Sequence, residues 1–202
     1  HRAALSRISF AKSHKQTPAD LYKAAADPKL ARLASVYEEY ENSLRRANAL
    51  DFDDLLLEAV RLLEHDETVR RAYNRRFSHL MIDEYQDTNR SQYELMRLLS
   101  ELRRNVCAVG DEDQSIYGWR GADIRNILDF EKDFPEAKII RLEQNYRSTE
   151  YILEAASALV SRNKARKGKW LWTELKGGEP VGLAETADGE QEALFIAETI
   201  QD

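Results

Sequence analysis

The sequence predicts an α/β fold with a parallel sheet, preceded by a helical segment, and three observations carry that prediction. Short apolar runs at Leu80–Ile82, 106–109 and 138–142 read as buried strands. Each is followed by a helical pattern of the length that carries a right-handed crossover between parallel strands. Each run also ends in polar residues, Asp83-Glu84, Gly110-Asp111 and Gln144-Asn145, and so gives the sheet one polar edge. Open parallel sheets bind their ligands there, outside the carboxyl ends of the strands.

The elements follow in order. Residues 1–50 are helical and charged, with a break at Pro18 and Asp20. Leu30, Leu33, Val36, Tyr37, Tyr40 and Leu44 then recur at three- and four-residue steps, the stripe of an amphipathic helix. Asp51 is placed to cap the next helix, and Asp53 and Asp54 suit the positive end of its dipole. That role accounts for the three acids more simply than a metal site does. Helices are expected at 92–102, opened by Thr88 and Asn89, at about 122–134, and from an N-cap at Ser148 to about Asn163. Further short strands are expected around Trp170, Trp172 and 181–184, with Gly177-Gly178 as a turn and a last helix from Gly189.

Bulk properties narrow the class. With 202 residues, 43% hydrophobic and 33% charged, the chain suits one good core or two small ones. A formal charge of −6 argues against indiscriminate polyanion binding but leaves room for local contacts. The single cysteine, Cys107, excludes an internal disulfide and a Cys-rich zinc site, and fits a reducing cytoplasm. No apolar run approaches the roughly 18 residues of a membrane span, so no membrane partner is expected. The only methionines are Met81 and Met96, and His1 and Asp202 both fall within helical patterns. The chain therefore reads as an internal piece of something larger.

Chemistry concentrates on the three polar edges. At the first, Asp83 can hold a magnesium ion alongside phosphates, and Glu84 can orient or deprotonate a water. An acidic pair after a strand can equally begin a solvated loop. The second edge contains Gln114, Tyr117, Trp119 and Arg120 between Gly110 and Gly121. Exposed aromatics beside arginine suit stacking on a single strand, worth roughly 1–3 kcal/mol per base. Tyr117 and Trp119 could instead be core residues, since Trp is usually largely buried. Gln114 could sense a phosphate or brace its loop. At the third edge, Arg147 precedes a helix N-terminus, where it can meet an anion, and Tyr146 offers a flat face to a nucleobase. Pairing of Arg147 with Glu143 or Glu150 is the alternative.

Taken together, three segments resemble motifs II, III and IV of the UvrD/Rep/PcrA-type superfamily 1 DNA helicases, in order and spacing. They are Asp83-Glu84-Tyr85-Gln86-Asp87-Thr88-Asn89, the stretch from Gly110 through Asp111-Glu112-Asp113-Gln114 and Tyr117-Gly118-Trp119-Arg120-Gly121 to Asp123, and Gln144-Asn145-Tyr146-Arg147-Ser148. Asp51-Phe52-Asp53-Asp54-Leu55 also looks like the segment that leads into the first motor domain of that family.

The resemblance implies an incomplete RecA-like sheet of the P-loop NTPase type with flanking helices. Residues 1–50 would end the helical insertion called 1B, 51–141 form the later half of motor domain 1A, and 142–202 open motor domain 2A. It implies ATP and Mg2+, with Asp83 on the metal, Glu84 activating the hydrolytic water and Gln114 near the γ-phosphate. Tyr117, Trp119 and Arg120 would serve single-stranded DNA, Tyr146 would stack on adenine, and Arg147 would reach the γ-phosphate. The implied activity is 3′-to-5′ translocation on single-stranded DNA and unwinding from single-strand to duplex junctions, in repair or replication.

The sequence also departs from the family pattern. It holds no Gly-x-x-x-x-Gly-Lys-Ser/Thr, the loop that cradles phosphates in a P-loop enzyme, and Gly168-Lys169-Trp170 is not one. The late motifs are absent too. The expected consequences are a chain inactive on its own and open to self-association through uncovered sheet edges. Alternatives are the motor part of a nuclease-fused recombination subunit, a magnesium-dependent nuclease using Asp83, Glu84 and Asp87, and a non-catalytic DNA-binding module.

Overall fold

Five helices precede the first strand in the computed structural model, which describes residues 2–164 and 167–201. They are α1 (Arg2–Ser13), α2 (Pro18–Ala24), α3 (Pro28–Arg46), α4 (Phe52–His65) and α5 (Glu67–Arg76). Local chemistry fixes their starts. Thr17 and Asp20 form a reciprocal capping box ahead of α2, Asp27 caps α3, and Asp51 caps α4 in a second box closed by Asp54. The capping role expected for Asp51 is therefore present. The first core joins Ile8 and Ala11 of α1 to Leu21, Ala34 and Tyr37, with Leu33 and Tyr40 packed against it. Val36 of the expected stripe faces solvent, because α3 turns Ala34 and Tyr37 inward instead.

The sheet is smaller than expected. Strand β1 (Leu80–Ile82) pairs in parallel with β2 (Val106–Ala108), Leu80 opposite Val106, Met81 opposite Cys107 and Ile82 opposite Ala108. Helix α6 (Arg90–Ser100) connects them, opened by a capping box of Asn89 and Gln92. Successive strand residues point to opposite faces. Leu80, Ile82, Val106 and Ala108 thus join Tyr85, Tyr93, Met96 and Phe134 in a second core. Met81 and Cys107 lie exposed on the other face.

Several expected elements are corrected. The segment 138–142 is not a strand: an apolar run becomes one only when a neighbour takes its backbone groups, and among the described residues it pairs with neither β1 nor β2. The helix expected over 122–134 is two short turns, α7 (Arg125–Leu128) and α8 (Phe130–Asp133), broken at Asp129. The break lets Ile127, Phe130 and Phe134 all reach the second core.

The chain divides into two units, His1–Ile139 and Ile140–Asp202. The second contains α9 (Glu150–Val160) and α10 (Gly189–Gln201). Its expected strands reduce, among the described residues, to one parallel bridge between Gln144 and Trp172. Thr149, not Ser148, holds the N-cap position of α9, which ends before Asn163. Gly177 and Gly178 take positive φ, 74° and 97°, but the backbone forms no turn there. Residues 165 and 166 lie outside the described residues, as do His1 and Asp202. No helix among the described residues is long and apolar enough to cross a membrane.

Candidate functional site

The parallel ladder runs on past β1 and sets the acidic turn. Val109 N donates to Ile82 O at 2.8 Å, and Tyr85 N donates to Val109 O at 2.9 Å. Between these anchors Glu84 adopts φ 50° and ψ 42°, a left-handed conformation that non-glycine residues seldom take. Such backbone strain costs on the order of 1–3 kcal/mol and clusters at functional sites. Asp83 Oδ1 accepts from Glu84 N at 2.9 Å, and both carboxylates are exposed. Asp83 Oδ2 has no partner among the described residues. An exposed carboxylate with a free oxygen is a fitting donor for a hard divalent cation that keeps most of its waters.

A hydrogen-bonded relay links this turn to the next edge. Gln86, 1% exposed, donates from Nε2 to Glu84 Oε2 at 2.7 Å and accepts at Oε1 from Asp111 N at 2.9 Å. Asp111 Oδ2 in turn accepts from Gln114 Nε2 at 2.7 Å. Glu84 and Gln114, singled out separately in the sequence, are therefore joined through Gln86 and Asp111. Gly110 makes the approach possible, since a Cβ there would stand 2.6 Å from Gln86 Oε1. The sequence motif contains Gln86 but by itself assigns it no role. The available signal was a neutral amide between acids, directly after a strand.

The same two loops are tied again further along. Asp123 N donates to Thr88 O at 3.0 Å, and the buried Asn126 amide donates to Thr88 O at 3.0 Å and Thr88 Oγ1 at 3.1 Å. Arg125 grips Asp123 through its guanidinium and, with backbone help, holds that carboxyl below its ordinary range against some burial. Tyr85 lies under the site in the core, where burial pushes its phenol well above the usual tyrosine value. Tyr85 is a packing residue.

Between the ties the chain projects its aromatics. Trp119 is 67% exposed, and Tyr117 is partly exposed beside it at 6.3 Å between ring centroids. The Arg120 guanidinium lies 4.6 Å from the Trp119 centroid and 5.3 Å from that of Tyr117. Cation and rings hold one another, leaving flat apolar surface with positive charge beside it. Neither ring belongs to either core.

Tyr146 and Arg147 belong to the second unit. The Asn145 side chain accepts from Arg147 N at 2.9 Å and Ser148 N at 2.8 Å, shaping a tight turn. Tyr146 is 78% exposed and donates its hydroxyl to Gln144 Oε1 at 2.8 Å. Arg147 is exposed and pairs with neither suggested acid: Glu150 holds Lys176 at 2.9 Å, and Glu143 accepts from Trp170 N at 3.2 Å. Each residue thus presents a free recognition surface, one planar and one cationic.

Comparison with known proteins bears on both units. A family model described as the UvrD/REP helicase N-terminal domain matches residues 2–135, and one described as the UvrD-like helicase C-terminal domain matches residues 140–202. Among curated proteins, the chain is 48% identical over 199 residues to a Staphylococcus aureus protein named ATP-dependent DNA helicase PcrA. It is 46% identical over 199 residues to the protein of the same name from Staphylococcus epidermidis. Each alignment covers 98% of this chain and 27% of the relative, so the chain spans about a quarter of the length of the relatives it matches.

Proposed function

The chain belongs to the UvrD/Rep helicase family, and from that premise we propose that it is part of the motor of an ATP-dependent DNA helicase. The observation that carries the reading is the relay from Glu84 through Gln86 and Asp111 to Gln114, in one body with exposed Trp119. It gives a hydrolytic carboxylate a physical connection to a surface suited to stacked bases.

In this reading the chain supplies later pieces of a RecA-like motor. Asp83 contributes a carboxylate to the magnesium of Mg-ATP, an ion that neutralises developing charge on transferring phosphates. Glu84 accepts a proton from the attacking water and orients it. Gln114 reports the state of the phosphate end to the loop of Tyr117 and Trp119. Arg147 meets phosphate charge, and Tyr146 offers its face to adenine. The strand passes over Trp119 with Arg120 beside it, in 3′-to-5′ translocation that opens junctions during repair or replication. The 202-residue chain alone has neither the phosphate-cradling loop nor the late motifs, and is inactive in ATP turnover and unwinding.

A nuclease using Asp83, Glu84 and Asp87 is not favoured. Among the described residues no three His, Cys, Asp or Glu side chains form a group able to hold a metal ion. The deciding experiment uses the full-length parent. Glu84→Gln should keep ATP binding and lose turnover, whereas Trp119→Ala should lose DNA-stimulated turnover and unwinding with ATP binding retained. DNA-stimulated turnover at the parental level in Trp119→Ala would remove the base-stacking assignment. ATP turnover at helicase rates by the isolated chain, abolished by Glu84→Gln, would overturn its inactivity.

A further inference from the structure

The aromatic loop leans on α1, a helix far from it in sequence. Gly121, which closes the turn after Trp119 and Arg120, has φ +88° and is buried. A Cβ on it would stand 2.2 Å from Ser13 Oγ and 2.9 Å from Ser13 Cβ, so the Ser13 side chain packs on the Gly121 backbone where only glycine fits. Ser13 is the last residue of α1 and is itself buried, its hydroxyl donating to Phe10 O at 2.8 Å.

The end of α1 is pinned on both sides of that contact. On one side, the Lys12 ammonium is buried and meets Glu41 at 2.7 Å, Asp51 at 2.8 Å and Asp54 at 2.7 Å. It hydrogen-bonds both ends of the α4 capping box and pairs with Glu41 of α3. On the other side, Lys15 reaches Glu64 of α4 at 3.0 Å and also pairs with Glu94 of α6. Ser13 is thus a fixed point in a loop-facing surface whose neighbours cannot shift without breaking ion pairs. The far end of the same loop is fixed separately, at Thr88 and Asn126.

We propose that Ser13, held by Lys12 and Lys15, is a positioning residue that acts as a backstop for the Tyr117–Gly121 loop and sets the affinity of Trp119 for single-stranded DNA. The inference rests on the reading of Trp119 as a base-stacking residue. It adds that the helical segment before residue 50 contributes to DNA binding through its hold on that loop.

The test uses the full-length parent and oligo-dT. Three variants are compared by the oligonucleotide concentration that half-saturates ATPase stimulation, by turnover at saturating DNA, and by direct titration of oligo-dT binding. Ser13→Leu crowds Gly121, Ser13→Gly removes the backstop, and Ser13→Ala keeps its Cβ. A stacked base is worth roughly five- to hundredfold in affinity, and a misplaced ring loses part of that. Ser13→Leu and Ser13→Gly should raise half-saturation about fivefold or more with turnover at saturation near parental, while Ser13→Ala stays within about twofold. Should Ser13→Leu fail to fold, Ser13→Gly alone decides. Parental half-saturation in Ser13→Gly, or an equal change in all three variants, would overturn the inference. Trp119→Ala run alongside separates the two ideas. If it binds oligo-dT as the parent does, the stacking reading fails; if it binds weakly while Ser13→Gly does not, only the backstop fails.

Discussion

The Gln86 side chain accepts a 2.9 Å hydrogen bond from the Asp111 backbone nitrogen while donating one of 2.7 Å to the Glu84 carboxylate. A buried amide that serves a backbone donor and a carboxylate at once has no apolar substitute. Gln86→Leu keeps much of the volume but orphans the Asp111 N–H, which costs about 1–3 kcal/mol when buried. Gln86→Glu keeps an acceptor for Asp111 and brings a second negative charge to Glu84. The hydrogen bond that Gln86 donates to Glu84 is replaced by repulsion between two carboxylates. Gln86→Glu should therefore lower the parent's DNA-stimulated turnover while ATP binding is retained. Parental turnover in Gln86→Glu would detach Gln86 from the chemistry of Glu84.

Gly110 tests the same junction sterically. An alanine methyl there would sit 2.6 Å from Gln86 Oε1 and 2.9 Å from Ile127 Cδ1, and 3.2 Å from the Tyr85 backbone nitrogen. Overpacking a tight site costs about 1–3 kcal/mol. Gly110→Ala should lower the urea midpoint by a corresponding amount with an unchanged slope. Gly118→Ala, with nothing within 4 Å and no positive φ, is the matched control and should stay near the parent.

How much of this was legible follows from the range of the interactions. The cap at Asp51 and the boxes at Thr17 and Asn89 involve residues three apart, and the acids and amides at those spacings announce them. β1 and β2 were legible because their apolar runs are short and bounded by polar residues. The run at 138–142 carries Ile139, Ile140 and Leu142 alongside two basic residues, yet a strand also needs a partner, which composition does not supply. Motif spacing marked the relay's ends, Glu84 and Gln114. Its middle, Gln86, depends on burial by Gly110 and on the backbone of Asp111. Trp119 alone pointed toward the core, and only the fold, which holds it beside Arg120, leaves it exposed. Contact between Ser13 and Gly121 has no local signature at all.

Lys12 supplies a stability prediction with a defined sign. Burial works against its charge, but hydrogen bonds to Asp51, Asp54 and Glu41 outweigh that and hold the ammonium above its ordinary value. Burial likewise pushes Asp51 up, and the Lys12 and Asp54 hydrogen bonds bring it below its ordinary 3.8. A carboxyl depressed by folding stabilises the fold above its unfolded value and loses that contribution as pH falls through its folded value. Stability from Asp51 should thus be intact above about pH 4 and decline below it. Lys12→Met strands three carboxylates, and because they keep some water the cost should be near the lower end of the range for a broken buried pair, about 3 kcal/mol. Urea melts from pH 6 to pH 3 read both effects. Asp51→Asn should show a shallower acid decline than the parent, and parallel curves would show that Asp51 contributes nothing to it.

Cys107 reports on the bare face of the sheet. It stands opposite Met81, which is 78% exposed, and their neighbours Leu80, Ile82, Val106 and Ala108 fill the core on the other side. Parallel sheets are ordinarily covered on both faces, so a two-stranded sheet open on one side leaves apolar surface with no partner among the described residues. The thiol of the native 202-residue chain should therefore react with a disulfide reagent nearly as fast as that of the urea-unfolded chain. A protein of the relatives' length has further chain available to cover that face. There the same thiol should be protected until unfolding, while sedimentation of the shorter chain should show concentration-dependent self-association. Slow labelling of the short chain at a concentration where it sediments as a monomer would mean that Cys107 is covered from within, and the face is not open.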